Sequence, residues 1–531
     1  GNLQPPKLNV LSLQESKGLS VDELATHLAP FKVQRATITA LVETFEHAKT
    51  FGSLIQIPYT LKTHLAVLPQ VLGLVKQSGD MYATAAADDL LPLVQQAQVL
   101  AKQFDAVVAN PPFMGRSGMN SIVKEFALRN FPDSKSDLFA CFIQRGIEFA
   151  NKAGQIGIVA PYVWMFISAY ENLRERLILE TSLASLIQLE YNAFEPACIP
   201  VATFALMRSH VKNFVGSYIK LSEFKGHQFQ ASKTVEAIEN PDCGWLYKTK
   251  PDDFKRIPGS PLAYWFDESL LSQFSSRHLV GQVASVRSGL STGDNDRFLR
   301  HWREVDFSKI NLNCYSNIDG DSQKKWIPYN KGGAFRKLYG NHDLILNWGA
   351  SGEEMESTGA AVFRNRPVYF KEGVTWGGLT SSDVAFRWQP SGSVFDSNKG
   401  AMILPSENMD SMTILGILNS RVAASILDGL NPSLSTQIGD IERIPVVDVP
   451  GIRESTQQLV QLAKNDWNAF ERSWAFECLP LVEIARDDIK LLELSYRSWI
   501  THNLRNVADT KRLEEENNRN LIDAYGLSGT L

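Results

Sequence analysis

The apolar positions of the first 210 residues switch repeatedly between two periods. Val21 to Ala29, Ala36 to Ala48 and Leu90 to Gln103 carry the three-and-four spacing of helices, and Asp105-Ala-Val-Val-Ala109 is a short continuous apolar run of the kind buried in a parallel sheet. Helical spacing returns from Ser136 to Ala153, with Ser136 or Asp137 as N-cap and Gly154 as the stop. Gln155 to Pro161 predicts the next strand, Ala169 to Leu179 a helix, and Leu183 to Leu189 another strand. A rigid loop, Phe194-Glu-Pro-Ala-Cys-Ile-Pro200, leads into a last strand, Val201 to Met207. Leu8-Asn-Val-Leu-Ser-Leu13 reads as one more strand from the middle of the sheet. The expected class is α/β.

Beyond His210 the pattern changes. Residues 211–260 are polar and end in Pro251-Asp-Asp and Ile257-Pro-Gly-Ser, which predicts a connector with a few strands. Residues 261–450 hold short Val, Ile, Phe, Tyr and Trp runs broken by Gly, Asn, Asp and Ser, the mark of a mixed α+β domain rich in strands. From 451 to 531 helical spacing dominates, through Leu459, Leu462, Trp467 and Phe470, then Ile489, Leu492, Tyr496, Trp499 and Ile500. That aromatic stripe is expected to serve packing.

The turn after the first apolar run brings in chemistry. Asn110-Pro111-Pro112-Phe113 follows the strand directly, and two prolines stiffen the turn because each lacks an N–H and fixes its φ. Asn110 is thereby expected at the carboxyl end of a strand, where open α/β sheets collect ligands. The Asn110 side-chain oxygen and the Pro111 carbonyl can both accept from one exocyclic amino group. The nitrogen lone pair then stays free for attack, and Phe113 offers a flat face for a planar base. This points to methylation of an amino nitrogen. Asn-Pro is also an ordinary turn dipeptide, so the tetrapeptide gains its weight from the strand and helix pattern around it.

Composition refines the picture. At 531 residues and 44% hydrophobic, the chain can bury more than one core. No apolar run approaches the ~20 residues that span a bilayer, so no membrane association is expected. Cys141, Cys198, Cys243, Cys314 and Cys478 are dispersed, odd in number and without a Cys-x-x-Cys pair. Reduced thiols in a cytoplasm are expected, with no metal site. The net charge of −5 argues against duplex DNA binding, but only for the whole chain. Between Gly281 and Ala350, ten Lys and Arg face seven Asp and Glu, a local net of +3. There Lys324-Lys325-Trp326, Tyr329, Lys331, Phe335-Arg336-Lys337 and Tyr339 interleave basic and aromatic side chains, a mixture suited to phosphates and bases.

Residues from about Leu8 to His210 resemble the catalytic half of N6-adenine-specific DNA methyltransferases, with Asn110 to Phe113 matching their signature tetrapeptide. Ser285-Val-Arg-Ser-Gly-Leu-Ser-Thr-Gly-Asp-Asn-Asp-Arg-Phe298, Leu415-Gly-Ile-Leu-Asn-Ser-Arg-Val422 and Glu515-Glu-Asn-Asn-Arg-Asn-Leu-Ile-Asp-Ala-Tyr-Gly526 resemble the large PglX-type methyltransferases of BREX phage-defence systems, and in part type IIG restriction-modification enzymes. The resemblance implies the second half of a Rossmann-like methyltransferase sheet (1–210), a target-recognition domain (261–450) and a helical C-terminal region. It implies S-adenosylmethionine as cofactor, double-stranded DNA as substrate, and other defence-system subunits as partners. Asn110, Pro111, Pro112 and Phe113 would form the reacting site, and Phe194 would stack on the flipped base opposite Phe113. Arg287, Asn295, Arg297, Lys324, Lys325, Trp326 and Arg336 are the expected DNA contacts.

One departure stands out. Such enzymes hold their cofactor with a glycine-rich loop after the first strand, and no Gly-x-Gly precedes Asn110. The expectation is therefore a C-terminal portion of a longer enzyme, inactive alone. A noncatalytic DNA-recognition or scaffold subunit is the alternative. A glutamine N5-methyltransferase, which would share the Asn-Pro-Pro-aromatic site, is disfavoured by roughly 300 residues after Met207, more than one ordinary domain.

Overall fold

The computed structural model describes residues 8–194, 199–314, 324–378, 384–397, 400–433, 435–486 and 492–531. They fall into two units, Gly1–Asp252 and Asp253–Leu531. Cys198 lies outside the described residues; Cys141, Cys243 and Cys478 are free thiols.

The first unit opens with helices. α1 (Val21–Leu28) and α2 (Arg35–Phe45) pack on α3 (Met81–Ala101), which buries Ala83, Ala87, Leu90, Val94 and Ala97 along one stripe. α3 begins nine residues before the Leu90 expected from spacing, because Asp80 caps it by accepting from the Tyr82 and Ala83 N–H groups at 2.9 and 3.0 Å. Leu8 to Leu13 is not the expected strand. It is irregular, with Leu8 and Val10 79% and 84% exposed, and its end is held by Gln96, which exchanges two hydrogen bonds with the Gln14 backbone. Alternation alone does not make a strand where no neighbouring strand offers a ladder.

The sheet that follows carries β1 (Phe104–Ala109), β2 (Ala150–Pro161), β3 (Ser182–Gln188), β4 (Val201–Met207), β5 (Gly216–Lys220) and β6 (Leu246–Thr249), in the spatial order β1-β2-β4-β3-β5-β6. β1 runs parallel to β2, and β3 to β5, while β4 and β6 run opposite to their neighbours. α4 (Leu138–Phe149) lies against β1 and β2, and α5 (Glu171–Glu180) against β3. Buried Arg145 on α4 ties the helical layer to the sheet, donating to the carbonyls of Ser53, Ile55 and Leu100 and pairing with Glu148 at 2.8 Å. The stretch expected as a connector with a few strands supplies β5, α6 (His227–Glu239) and β6, and the unit closes at Asp252. Tyr218 and Ile219 of β5 are buried apolar positions that composition over fifty residues had diluted.

In the second unit, β7 (Ala284–Arg287), β8 (Trp326–Asn330), β9 (Gly373–Trp376), β10 (Phe386–Gln389) and β11 (Met402–Pro405) are the strands that matter here. The antiparallel sheet order is β10-β9-β11-β7, and β8 belongs to a second sheet. α7 (Ser411–Leu418) and α8 (Arg421–Leu430) meet at a 70° bend and are mostly buried. Asn419 at the bend completes the free edge of β10, exchanging hydrogen bonds with both the N–H and the carbonyl of Phe386, and Ser420 caps α8. α9 (Ile452–Asn468) and α10 (Leu492–Ala524) are the helices expected at the C-terminal end. They are not a separate layer, since Ile452, Leu459, Leu513, Leu521 and Tyr525 share one core with Val286, Ile403 and Val422. The aromatic stripe at the start of α10 is less packed than expected: Tyr496 is 49% and Ile500 37% exposed, and Trp499 half-buried. Among the described residues no single helix is long and apolar enough to cross a membrane.

Candidate methyl-acceptor site and basic surface

Strand directions put several loops at one edge of the first sheet. β1, β2 and β3 run the same way, so the turns after Ala109, Pro161 and Gln188 emerge together, beside the start of β4 at Val201. Asn110 is exposed there, next to buried Pro111. Pro112 is exposed and the Phe113 ring is 38% exposed. The turn is thus anchored by one proline while its neighbours face outward. Phe194, in the β3–β4 loop at the same edge, is 50% exposed, and the next residues of that loop, 195–198, lie outside the described ones.

What holds the turn is Asp137. As N-cap of α4 it accepts from the Phe139 N–H at 3.3 Å, and the same oxygen accepts from the Met114 N–H at 2.9 Å. The Leu138 N–H returns a bond to the Met114 carbonyl at 3.1 Å, and the Arg116 N–H bonds the Ser136 carbonyl. Phe113 meets Phe139 edge to face, centroids 6.3 Å apart, and Phe139 in turn packs on Tyr170. Burial raises the Asp137 carboxyl above the ordinary carboxylate range, against the pull of the Met114, Phe139 and Leu138 N–H groups. Burial, and then the charge of Asp137, also pushes the Tyr170 hydroxyl up. Cys141, one turn further along α4, is buried with its pKa pushed up to about 12, an inert thiol. Sequence spacing offered Asp137 as a cap but gave no sign of its bond to Met114, which spans 23 residues.

β1 is an edge strand. Its only partner among the described residues is β2, and Val108 is 85% exposed. Beside that open edge the described residues form neither another strand nor a glycine-rich turn, so they do not fit a nucleoside cofactor.

In the second unit the expected DNA contacts separate into groups. Arg297 pairs with Glu354 at 2.8 Å, and Glu354 also accepts from Asn347, the cross-strand partner of Trp326. Lys325 lies 5.7 Å from the half-buried Trp326 ring, and Lys324 is exposed. Arg297, Lys325 and Trp326 therefore share one neighbourhood. Exposed Arg287 ends β7, and Asn295 accepts from the Thr292 hydroxyl at 2.8 Å. Arg336 is elsewhere, paired with Asp466 at 3.1 Å and 5.0 Å over the Trp467 ring, so its charge is already engaged. Of the interleaved aromatics, Tyr329 and Tyr339 are buried, and the Tyr329 hydroxyl donates within the core.

A family model described as Eco57I restriction-modification methylase matches residues 28–194. The adenine-specific methyltransferase PglX of Lacticaseibacillus casei (strain Zhang) is 34% identical over 460 residues, which cover 83% of this chain and 38% of that protein. The adenine-specific methyltransferase BrxX of Escherichia coli O9:H4 (strain HS) is 34% identical over 506 residues, covering 90% of this chain and 40% of that protein. The chain thus spans about two fifths of the length of these relatives. Among solved structures, the type IIL restriction-modification enzyme MmeI in complex with DNA has a TM-score of 0.50 at 11% identity, over 97% of this chain and 75% of that one, a likeness of fold.

Proposed function

Since the chain is, over most of its length, a homologue of the adenine-specific methyltransferases PglX and BrxX, we propose that it carries the base-holding and DNA-reading portions of a site-specific DNA adenine N6-methyltransferase of a BREX phage-defence or restriction-modification system. The observation that carries the reading is the turn after β1, with Asn110 exposed beside buried Pro111 and the Phe113 ring half-exposed on a Phe139 support. In this reading the target adenine leaves the stack, because its N6 is out of reach inside a duplex. Phe113, with Phe194 from the neighbouring loop, takes its faces. The Asn110 side-chain oxygen and the Pro111 carbonyl accept the two N6 hydrogens, which frees the nitrogen lone pair and aligns it. Pro112 keeps the turn stiff.

Homology implies S-adenosylmethionine as the methyl donor. Because the described residues do not fit that group, its binding is assigned to protein outside this chain, along the open edge of β1, and the chain alone is expected to methylate nothing. In the second unit Arg287, Asn295, Arg297, Lys324, Lys325 and Trp326 are proposed to meet the duplex, with Arg336 held back by Asp466. The 34% identity to adenine-specific enzymes supports adenine over a glutamine side chain.

The test is Asn110→Ala in the intact protein. Adenine methylation, read by sequencing of modified bases, should vanish while folding and duplex affinity stay near wild type. Full methylation by that variant would sink the assignment.

A further inference from the structure

Next to the reacting turn stands a cation for which the fold has no use. Most arginines of the first unit are committed: Arg35 pairs with Asp22, Arg145 with Glu148 and Arg176 with Glu180, while Arg174 and Arg208 donate to backbone carbonyls. Arg116 and Arg129 are the two whose side chains make neither a hydrogen bond nor an ion pair among the described residues. Arg129 lies in the last turn of the helix Ser121–Asn130, where a positive charge meets the helix dipole favourably. Arg116 has no such reason to be charged. It is exposed, three residues past Phe113.

Its backbone, by contrast, is fixed. Gly115 and Asp137 form an antiparallel bridge, closed on one side by the Arg116 N–H on the Ser136 carbonyl at 3.0 Å and on the other by the Leu138 N–H on the Met114 carbonyl at 3.1 Å. Side chains alternate across such a pair. Asp137 turns to the Met114 N–H, and its Oδ2 is 3.5 Å from where a β-carbon on Gly115 would be, so Arg116 and half-buried Ser136 share the opposite face. A guanidinium and a hydroxyl side by side on a fixed link are donors for one anionic group. The neighbouring carboxylates do not meet that need: Asp137 faces away and Asp133 accepts from Asn172.

Position decides which anion. An extruded adenine stays tied to its strand by one sugar, so the phosphates that flank it lie close to the ring that receives it. From Phe113 to Arg116 the chain spans at most about 10 Å, a gap that the long arginine side chain helps to close. We propose, on the adenine-methylation reading above, that Arg116 with the Ser136 hydroxyl grips a phosphodiester of the target strand next to the extruded adenine. Arg116 is then a positioning residue. It makes no contact with the reacting nitrogen, and it holds the strand in the distorted path that leaves the base on Phe113. A guanidinium, whose parallel donors meet two phosphate oxygens, suits that task better than an ammonium. A phosphate contact carries no base identity, so Arg116 acts on extrusion and leaves the choice of site to other residues.

The test is single-turnover methylation by the intact protein of a duplex carrying the site that sequencing of modified bases identifies. In that duplex the phosphates around the target adenine are replaced one at a time by neutral methylphosphonates. With wild type, one replacement next to the adenine should slow methylation about tenfold or more, the loss expected for a charge-assisted hydrogen bond. Arg116→Ala should show that loss on unmodified DNA, and the same methylphosphonate should then cost nothing further. Arg116→Lys should recover part of the rate, and Ser136→Ala should show a smaller share of the same coupling. Exchange of the Met114 amide should be unchanged in Arg116→Ala, which separates a grip on DNA from support of the turn. Equal methylphosphonate penalties in wild type and Arg116→Ala, or an unaltered rate in Arg116→Ala, would overturn the proposal and leave the methyltransferase reading standing. No methylation of unmodified duplex by wild type would instead remove that reading, and this proposal with it.

Discussion

Replacing Asp137 separates the two jobs this carboxylate does. It caps α4, and it holds the Met114 N–H one residue beyond Phe113. Losing an N-cap costs about 1 kcal/mol, and losing a hydrogen bond to a charged acceptor about 1.5 kcal/mol or more. Part of this is offset, because removing a carboxylate that burial penalises relieves its desolvation. Asp137→Ala is therefore expected to loosen the turn by about 2 kcal/mol, which is about 30-fold in the local opening equilibrium. Asp137→Asn keeps an oxygen in place and should cost under about 1 kcal/mol. The assay is hydrogen exchange of the Met114 amide, whose acceptor is Asp137 itself. The alanine variant should exchange tens of times faster than wild type, the asparagine variant only a few times faster. A pH series adds a signed check. The folded pKa lies above the unfolded one, so the proton on Asp137 stabilises the fold fully below the unfolded value of about 4, and that contribution is lost as pH rises through the folded value. Asp137→Asn has no such loss, so relative to wild type it should gain as pH rises across that window. Equal Met114 protection in wild type and Asp137→Ala would refute the claim that this side chain fixes the turn.

Gly289 has no room for a side chain, since a β-carbon there would sit 1.9 Å from the Phe395 carbonyl oxygen; Gly289→Ala should cost about 3 kcal/mol in denaturant unfolding of the second unit, and a loss under about 1 would mean the two segments can part freely. Phe113→Ala and Phe194→Ala should each weaken base flipping by about 1 to 3 kcal/mol more than duplex affinity, read with a fluorescent base analogue at the target; unchanged flipping would remove both rings from the site. Charge reversal at Lys324 and Lys325 should lower duplex affinity and flatten its salt dependence by about one in slope for every phosphate no longer neutralised, whereas unchanged slopes in anisotropy titrations would make both lysines ordinary solvated side chains.

The strands that bear the turn were legible because they are short, β-branched and bounded by proline or glycine, as in Asp105 to Ala109 and Val201 to Met207. Leu8 to Leu13 misled because alternation reports a face, and a face becomes a strand only where a neighbour supplies hydrogen bonds. The few strands expected in the connector, inner β5 and edge β6, belong to the sheet of the first unit, which short runs in polar surroundings do not announce. The motif around Asn419 could be seen, but its meaning as a side chain that completes the edge of β10 depends on a partner 33 residues away. The same holds for Arg336, whose engagement with Asp466 spans 130 residues.

The open flank of β1 has a meaning for how this chain behaves in a tube or a cell. On the side away from β2, six residues, Phe104 to Ala109, present a ladder with no strand partner among the described residues, with one charge, Asp105, and an outward valine. That is the pattern of a strand that recruits any extended segment it meets, its own copies included. Asp105 is then a gatekeeper, and its neutralisation should make the chain cloud at lower concentration. The residues that lead to the reactive turn are also those that decide whether the protein remains dispersed.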